Sequence, residues 1–145
     1  MHGGYVLQCS NCGARNRVPH ARAADKGRCA KCSAVLIASH SMAMPTTDSG
    51  WARDVIGSDA PVIVELWSAN CNVCTQYDLA VKRMAARFYG QARVLQMNVD
   101  ENPKTMALYK ITGVPTVLLF NKGELLRTMV GPQGEQGIRA ALGLD

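Results

Sequence analysis

Apolar positions divide this chain in two. From about Thr46 onward, short apolar runs alternate with stretches of helical period, whereas the residues up to His40 are dominated by Gly, Ala, Arg and Lys and carry few large apolar side chains. In the second half, Pro61-Val62-Ile63-Val64-Glu65-Leu66-Trp67 is a continuous apolar run bounded by turn residues, the pattern of a buried central strand with one acid inside it. From Cys71 onward, Cys74, Tyr77, Val81, Met84, Ala85 and Phe88 recur every three or four residues, which predicts a helix with one apolar stripe ending near Gly90. Thr47-Asp48-Ser49 offers N-cap chemistry for a short helix through Ile56. Residues 94–99 form a second strand, and Asn102-Pro103 opens a short helix through Tyr109, with Pro where its missing N–H is harmless. Residues 115–120 and 124–130 flank Asn121-Lys122-Gly123 and predict a β-hairpin, followed by a helix from about Gln133 to Leu142. The order β-α-β-α-β-β-α predicts an α/β sandwich. Its mixed central sheet is parallel where helices cross over, antiparallel at the hairpin, and flanked by helices. Residues 39–45 read as a linker or the lead-in to a first strand, giving a small domain over 1–40 and a larger one over 41–145.

The smaller segment cannot bury enough apolar surface to fold unaided and needs a staple. Its cysteines supply one. All six cysteines fall into Cys-x-x-Cys units, at Cys9/Cys12, Cys29/Cys32 and Cys71/Cys74. Two knuckles separated by residues 13–28 match the four-cysteine template of a zinc site, and Gly13 after Cys12 permits the tight turn of such a knuckle, with Ser33 in the corresponding place after Cys32. Four thiolates close a tetrahedron and leave no open position, so a single Zn2+ held by Cys9, Cys12, Cys29 and Cys32 is expected to be structural. Two disulfides, or a tetrathiolate iron centre, are the alternatives. His2, His20 and His40 are read as exposed polar residues that the site does not need.

Hydrophobic residues make up 48% of the 145-residue chain and charged ones 19%, which excludes a disordered, core-poor protein. The net charge of +5 is localised: Arg15, Arg17, Arg22, Lys26, Arg28 and Lys31 face Asp25 alone, and the rest of the chain is balanced. Four thiolates and one zinc would lower that surplus, leaving too little to demand a nucleic-acid partner. The basic residues also lack the interleaved aromatics of a stacking surface. No apolar run is long enough for a signal peptide or a membrane span, so a soluble, cytoplasmic protein without a membrane partner is expected.

The third cysteine pair sits between the buried strand and the amphipathic helix. There, unsatisfied N–H groups and the helix dipole stabilise a thiolate. Cys71 is therefore expected to be the exposed attacking sulfur and Cys74, one turn inward, the resolving one. No histidine follows His40, so a Cys-His hydrolase lacks its base. Glu65, an acid among Val, Ile and Leu, should have a raised pKa and can take the proton from Cys74.

These residues carry a family resemblance. VIVELWSANCNVC over residues 62–74 resembles the thioredoxin strand-turn-helix; residues 97–103, 113–116, Lys122-Gly123 and Val130-Gly131 follow at the family's spacing. The match spans nearly all of residues 46–145, and a zinc ribbon in front resembles the bacterial thioredoxin-2 type. The resemblance implies a thioredoxin fold behind a zinc ribbon and a protein-disulfide oxidoreductase, acting as a monomer and recharged by a thioredoxin-reductase-type donor. It implies that Pro115 is a cis-proline facing the redox pair, flanked by Val114 and Thr116, that Trp67 packs beneath the active-site loop, and that Asn70, Val99, Gly113, Val114, Val130 and Gly131 form the substrate-docking surface.

The chain departs from the family where Trp-Cys-Gly-Pro-Cys is usual, having Asn70-Cys71-Asn72-Val73-Cys74. Losing the Gly-Pro pair adds an N–H at Val73, and about 30 mV corresponds to 1.4 kcal/mol for such a couple, so a less reducing pair than thioredoxin's is expected. The buried acid is Glu65 rather than Asp, and Gln96 stands where the family often has Lys, which removes an ion partner and also favours a high pKa. The alternative function is a zinc-ribbon module that senses redox change or binds partners with little turnover.

Overall fold

The computed structural model describes residues 4–9, 11–19, 26–37 and 42–144. The three histidines, Arg22 and the 40/41 boundary all lie outside the described residues.

In the N-terminal part, β1 (Gly4–Gln8) pairs antiparallel with β2 (Arg15–Pro19), and β3 (Lys26–Arg28) with β4 (Val35–Ile37). Each hairpin closes over a cysteine knuckle with the same bonds: Cys9 N donates to Ala14 O and Gly13 N to Cys9 O, and Cys29 N donates to Ala34 O and Ser33 N to Cys29 O. Both turns need a left-handed residue, supplied by Gly13 at φ 80° and by Ser33 at φ 66°. These four strands were not legible in the sequence, because they are short and carry little alternation. Among the described side chains, the buried apolar set of this part is Leu7, Cys9, Cys29 and Leu36.

The larger part is built on β5 (Met44–Pro45), β6 (Val62–Trp67), β7 (Arg93–Asn98), β8 (Thr116–Asn121) and β9 (Glu124–Val130), in the order β5-β7-β6-β8-β9. β5 and β6 run parallel to β7, whereas β8 is antiparallel to both β6 and β9. The unbroken apolar run of β6 is explained by its central place, where both faces are covered. Toward one face, Ile63, Val94, Val117 and Leu119 pack against α1 (Asn72–Arg87) and α3 (Glu135–Leu142) through Tyr77, Val81, Met84, Ala85, Phe88 and Ile138. Toward the other, Val62, Val64, Leu66, Leu95, Leu118 and Phe120 meet Trp51, Val55 and the residues around α2 (Pro103–Leu108). At about 1.5–3 kcal/mol for each fully buried large aliphatic or aromatic side chain, these two layers dominate the fold's stability.

The hairpin turn places Lys122 at φ 51° and Gly123 at φ 81°, the paired left-handed geometry that joins twisted strands across two residues. Gly123 is also pressed against Ile56, whose carbonyl oxygen would lie 2.7 Å from an added Cβ.

The segment after Thr46 corrects one expectation. Residues Ala52–Ile56 form a π-helical turn, with Gly57 N bonded to Ala52 O, rather than the ordinary short helix expected after Thr47-Asp48-Ser49. Thr47 Oγ1 does accept from Gly50 N, but Asp48 serves α2 instead: Oδ1 accepts from Thr105 N and Thr105 Oγ1, and Oδ2 from Lys104 N. Asn102, the residue before α2, returns the contact by accepting from Asp48 N. Partial burial pushes the Asp48 carboxyl up, but the Thr105 and Lys104 donors outweigh it and hold it below its ordinary value. Asp48→Ala should therefore cost about 1 kcal/mol at neutral pH in a urea titration. A carboxyl with a depressed folded pKa stabilises above its ordinary titration range, so the difference between wild type and variant should close as the pH falls through and below that range.

Candidate active site and candidate metal centre

The turn after β6 delivers Cys71 to the N-cap of α1, in extended conformation. Its Sγ accepts from Cys74 N at 3.0 Å, so the sulfur occupies the place an Asn or Ser oxygen takes at an ordinary helix start. Negative charge on that sulfur is favoured by the helix dipole and by the N–H aimed at it. Cys71 and Cys74 lie at disulfide distance, Cys71 half-buried and Cys74 only 3% exposed. Ser68 ties the loop down: its carbonyl accepts from Cys71 N, and its hydroxyl donates to Asp100 Oδ2.

Across from the pair, the Val114–Pro115 peptide is cis, and the Val114 carbonyl oxygen lies 3.8 Å from Cys71 Sγ. Gly131 N donates to Pro115 O, and Thr116 pairs with Val130, so the end of β9 is drawn alongside the proline. Val130, at 75% exposed, stands out on this rim, as do Asn70 and Gly113, while Val99, Val114 and Gly131 are half-buried. Thr116 is buried and its hydroxyl donates to Gly113 O, so its side chain faces inward. Trp67 lines a cleft behind the loop together with Ala69 and Cys74.

Glu65 is 1% exposed in the middle of β6. Its Oε1 accepts from Gln96 Nε2 at 2.9 Å, whereas Oε2 is buried with no hydrogen-bond partner among the described residues. Burial pushes its pKa up, the Asp78 charge adds to this, and the Gln96 bond and Lys82 oppose it. Because the folded state favours the protonated form, the carboxyl costs stability once the pH rises above its ordinary range. Glu65→Gln should therefore be more stable than wild type by about 1–3 kcal/mol at mildly alkaline pH, with the gain vanishing in acid. Paired denaturant titrations across pH check this, and a pH-independent difference would contradict it.

In the N-terminal part, the Sγ atoms of Cys9, Cys12, Cys29 and Cys32 all lie within 4.8 Å of one another. The Cys9–Cys32 and Cys12–Cys29 sulfurs are each 3.6 Å apart. A metal with bonds of about 2.3 Å to four sulfurs has a tetrahedral edge of about 3.8 Å, so the cluster fits one such ion, and sulfurs at these separations are not disulfide-bonded. Two asparagines, unnoticed in the sequence, serve these sulfurs. Asn16 Nδ2 donates to Cys29 Sγ and Asn11 Nδ2 to Cys32 Sγ, each at 3.4 Å. The Asn16 bond, with backbone N–H groups of Cys32 and Lys31, holds the Cys29 thiol down at about 6, whereas, against a lowering backbone bond at Ala14, desolvation and the neighbouring thiols push Cys12 opposite it up to about 11. The signal was the placement of each Asn beside a knuckle, too common a residue to stand out.

Residues 42–143 match the family model described as thioredoxin, and residues 8–34 the one described as the N-terminal part of thioredoxin 2. A thioredoxin of Rickettsia conorii is 35% identical over 97 residues, covering 67% of this chain and 92% of the relative. A chloroplastic thioredoxin M4 of Arabidopsis thaliana is 35% identical over 127 residues, or 87% of this chain and 64% of the relative. Thioredoxin 1 of Nostoc is 34% identical over 91 residues, 63% of this chain and 85% of the relative.

Proposed function

The chain belongs to the thioredoxin family and is a thiol-disulfide oxidoreductase, and from that premise we propose that it reduces protein disulfides with Cys71 as the attacking and Cys74 as the resolving sulfur. The observation that carries this reading is the Cys71 sulfur at the helix N-cap, accepting the Cys74 N–H, with the Val114 carbonyl beside it.

The Cys71 thiolate attacks one sulfur of a substrate disulfide; a Cys71–sulfur bond forms, the substrate S–S bond breaks, and the departing thiolate takes a proton from solvent. Cys74 then gives its proton to ionised Glu65, and its thiolate attacks Cys71 Sγ, releasing the second substrate thiolate. The substrate has gained two electrons, and the Cys71/Cys74 pair holds the disulfide until a thioredoxin-reductase-type donor returns two electrons. Glu65 suits this role because its raised proton affinity lies closer to that of a thiol than an ordinary carboxylate's does. The rim of Asn70, Val99, Gly113, Val114, Val130 and Gly131 surrounding Pro115 receives an extended substrate segment, with buried Thr116 bracing Gly113 from within and Trp67 supporting the loop from behind.

The four thiolates of the ribbon would hold one Zn2+ and, supplying all its ligands, would give it a structural role. The ribbon domain comprises residues 1–40 and the redox domain 41–145. No helix among the described residues is long and apolar enough to cross a membrane, and we place the protein in the cytoplasm as a monomer, without a nucleic-acid partner. The test is reduction of a protein disulfide by wild type, by Cys71→Ser and by wild type stripped of metal. Loss confined to Cys71→Ser supports the reading; loss in the stripped protein alone would assign the ribbon a regulatory role and overturn the division of labour between a structural ribbon and a catalytic pair.

A further inference from the structure

Along α1 the polar face beside the redox pair is a ladder of Cys74, Asp78 and Lys82, each one turn from the next. All three line a cleft of about 650 Å³ that also touches Trp67, Gln96 and Asn98. The Gln96 amide closes the back of this cleft. Its Nε2 donates one hydrogen to Glu65 Oε1 and the other to Asp78 Oδ1, both at 2.9 Å. Only the nitrogen end can serve two carboxylates at once, so the amide's orientation is fixed by Asp78 as much as by Glu65.

We propose that Asp78 is a positioning residue for the resolving step: through Gln96, which lines the Cys74 cleft, it fixes the Glu65 carboxyl and biases that carboxyl toward holding its proton. The proposal rests on the reading of Glu65 as the proton acceptor for Cys74.

Sharing one nitrogen brings the Glu65 and Asp78 oxygens within about 6 Å of each other. Two negative charges at that distance repel, and Asp78 is the one that stays ionised, because Lys82 Nζ lies 2.6 Å from its Oδ2. Lys82 holds the Asp78 carboxyl below its ordinary value, with Gln96 assisting against a small cost of burial. Among the described residues Glu65 has no such cation in contact, and its Oε2 would be a bare buried oxygen if charged. The other titratable neighbour on α1 is Tyr77, whose hydroxyl is engaged with Gln133; β7 offers the neutral Gln96 opposite Glu65, and β8 the apolar Val117. Besides burial and the Gln96 bond, the charges that act on the Glu65 proton are thus those of the Asp78/Lys82 pair at the wall of the cleft.

The test uses the full-length zinc-loaded chain with 13C-labelled glutamate side chains. Asp78→Asn keeps an oxygen for Gln96 but removes the charge. At a pH on the acid side of the Glu65 titration, the ratio of ionised to protonated Glu65 should rise roughly threefold, the effect of one charge about 6 Å away even when screened as in water. The rate of mixed-disulfide resolution, expressed as a fraction of its own plateau and followed across pH, should rise by the same factor on that limb. Lys82→Met should move both readouts the opposite way. An Asp78→Asn protein that is folded and has the native Glu65 ratio overturns the proposal. A Glu65→Gln protein that resolves mixed disulfides with the native rate and pH profile overturns instead the underlying role of Glu65, and the labelled-carboxyl ratio separates the two failures.

Discussion

With Cys74 replaced by Ser, the protein should stop one step short of release and accumulate as a covalent adduct with its substrate. Cys71 keeps the N-cap position and the Cys74 backbone N–H, which a Ser at 74 still supplies, so the first exchange proceeds. What is lost is a second sulfur held one turn away on a rigid helix. Well-oriented intramolecular reactions reach effective molarities on the order of 10⁵ M, so no external thiol at working concentration replaces it. Non-reducing gels and intact-mass measurement should show a one-to-one adduct that collapses on adding excess dithiol. Cys71→Ser should do the reverse, giving no adduct and turnover at the uncatalysed background, because Cys74 is only 3% exposed and cannot reach a substrate. An adduct formed equally well by the Cys71→Ser chain would assign the attacking role to the wrong sulfur.

Removing the metal should take the N-terminal part apart while residues 42–144 stay folded. The only buried aliphatic side chains among the described residues of that part are Leu7 and Leu36, and the rest of its buried apolar core there is Cys9 and Cys29, two of the four proposed ligands. Two leucines contribute about 1.5–3 kcal/mol each, against about 10–16 kcal/mol for a structural zinc bound to four such ligands near neutral pH. The larger number decides which of them holds the two hairpins together. The redox domain has its own two buried layers and does not depend on the ion. A strong chelator should therefore collapse the amide dispersion of residues 4–9, 11–19 and 26–37 in an NMR spectrum and leave the peaks of residues 42–144 in place. Acid should have the same effect, since the ligands bind as thiolates. Retained dispersion of the ribbon peaks after complete metal removal would contradict the staple.

Much of the larger domain could be read from the residues, because its signals are local and repeated. The apolar run of β6, the stripe from Cys74 to Phe88 and the Asn121-Lys122-Gly123 turn each specify their element within a few positions. What escaped was set by distant partners. Asp48 caps a helix far downstream, and nothing near it in the chain distinguishes that role from a local cap. Asp78 looks like one half of an exposed i,i+4 pair with Lys82, which it is, but its bond to Gln96 follows from the parallel register that sets Glu65 opposite Gln96. The anomaly at Gln96 was visible as a missing lysine; that the amide joins two acids was not. The four ribbon strands are short and flank the cysteine knuckles, with little alternation of their own, so periodicity could not reveal them.

β5 has two residues and ends in Pro45 on the outer side of the sheet. A proline has no N–H to offer a newcomer, so this margin cannot template another strand. The opposite margin, β9, is long and solvent-facing, but it carries Glu124 and Arg127 along its length. Accidental stitching of one molecule to the next through backbone ladders is thereby closed at one border and discouraged by charge at the other.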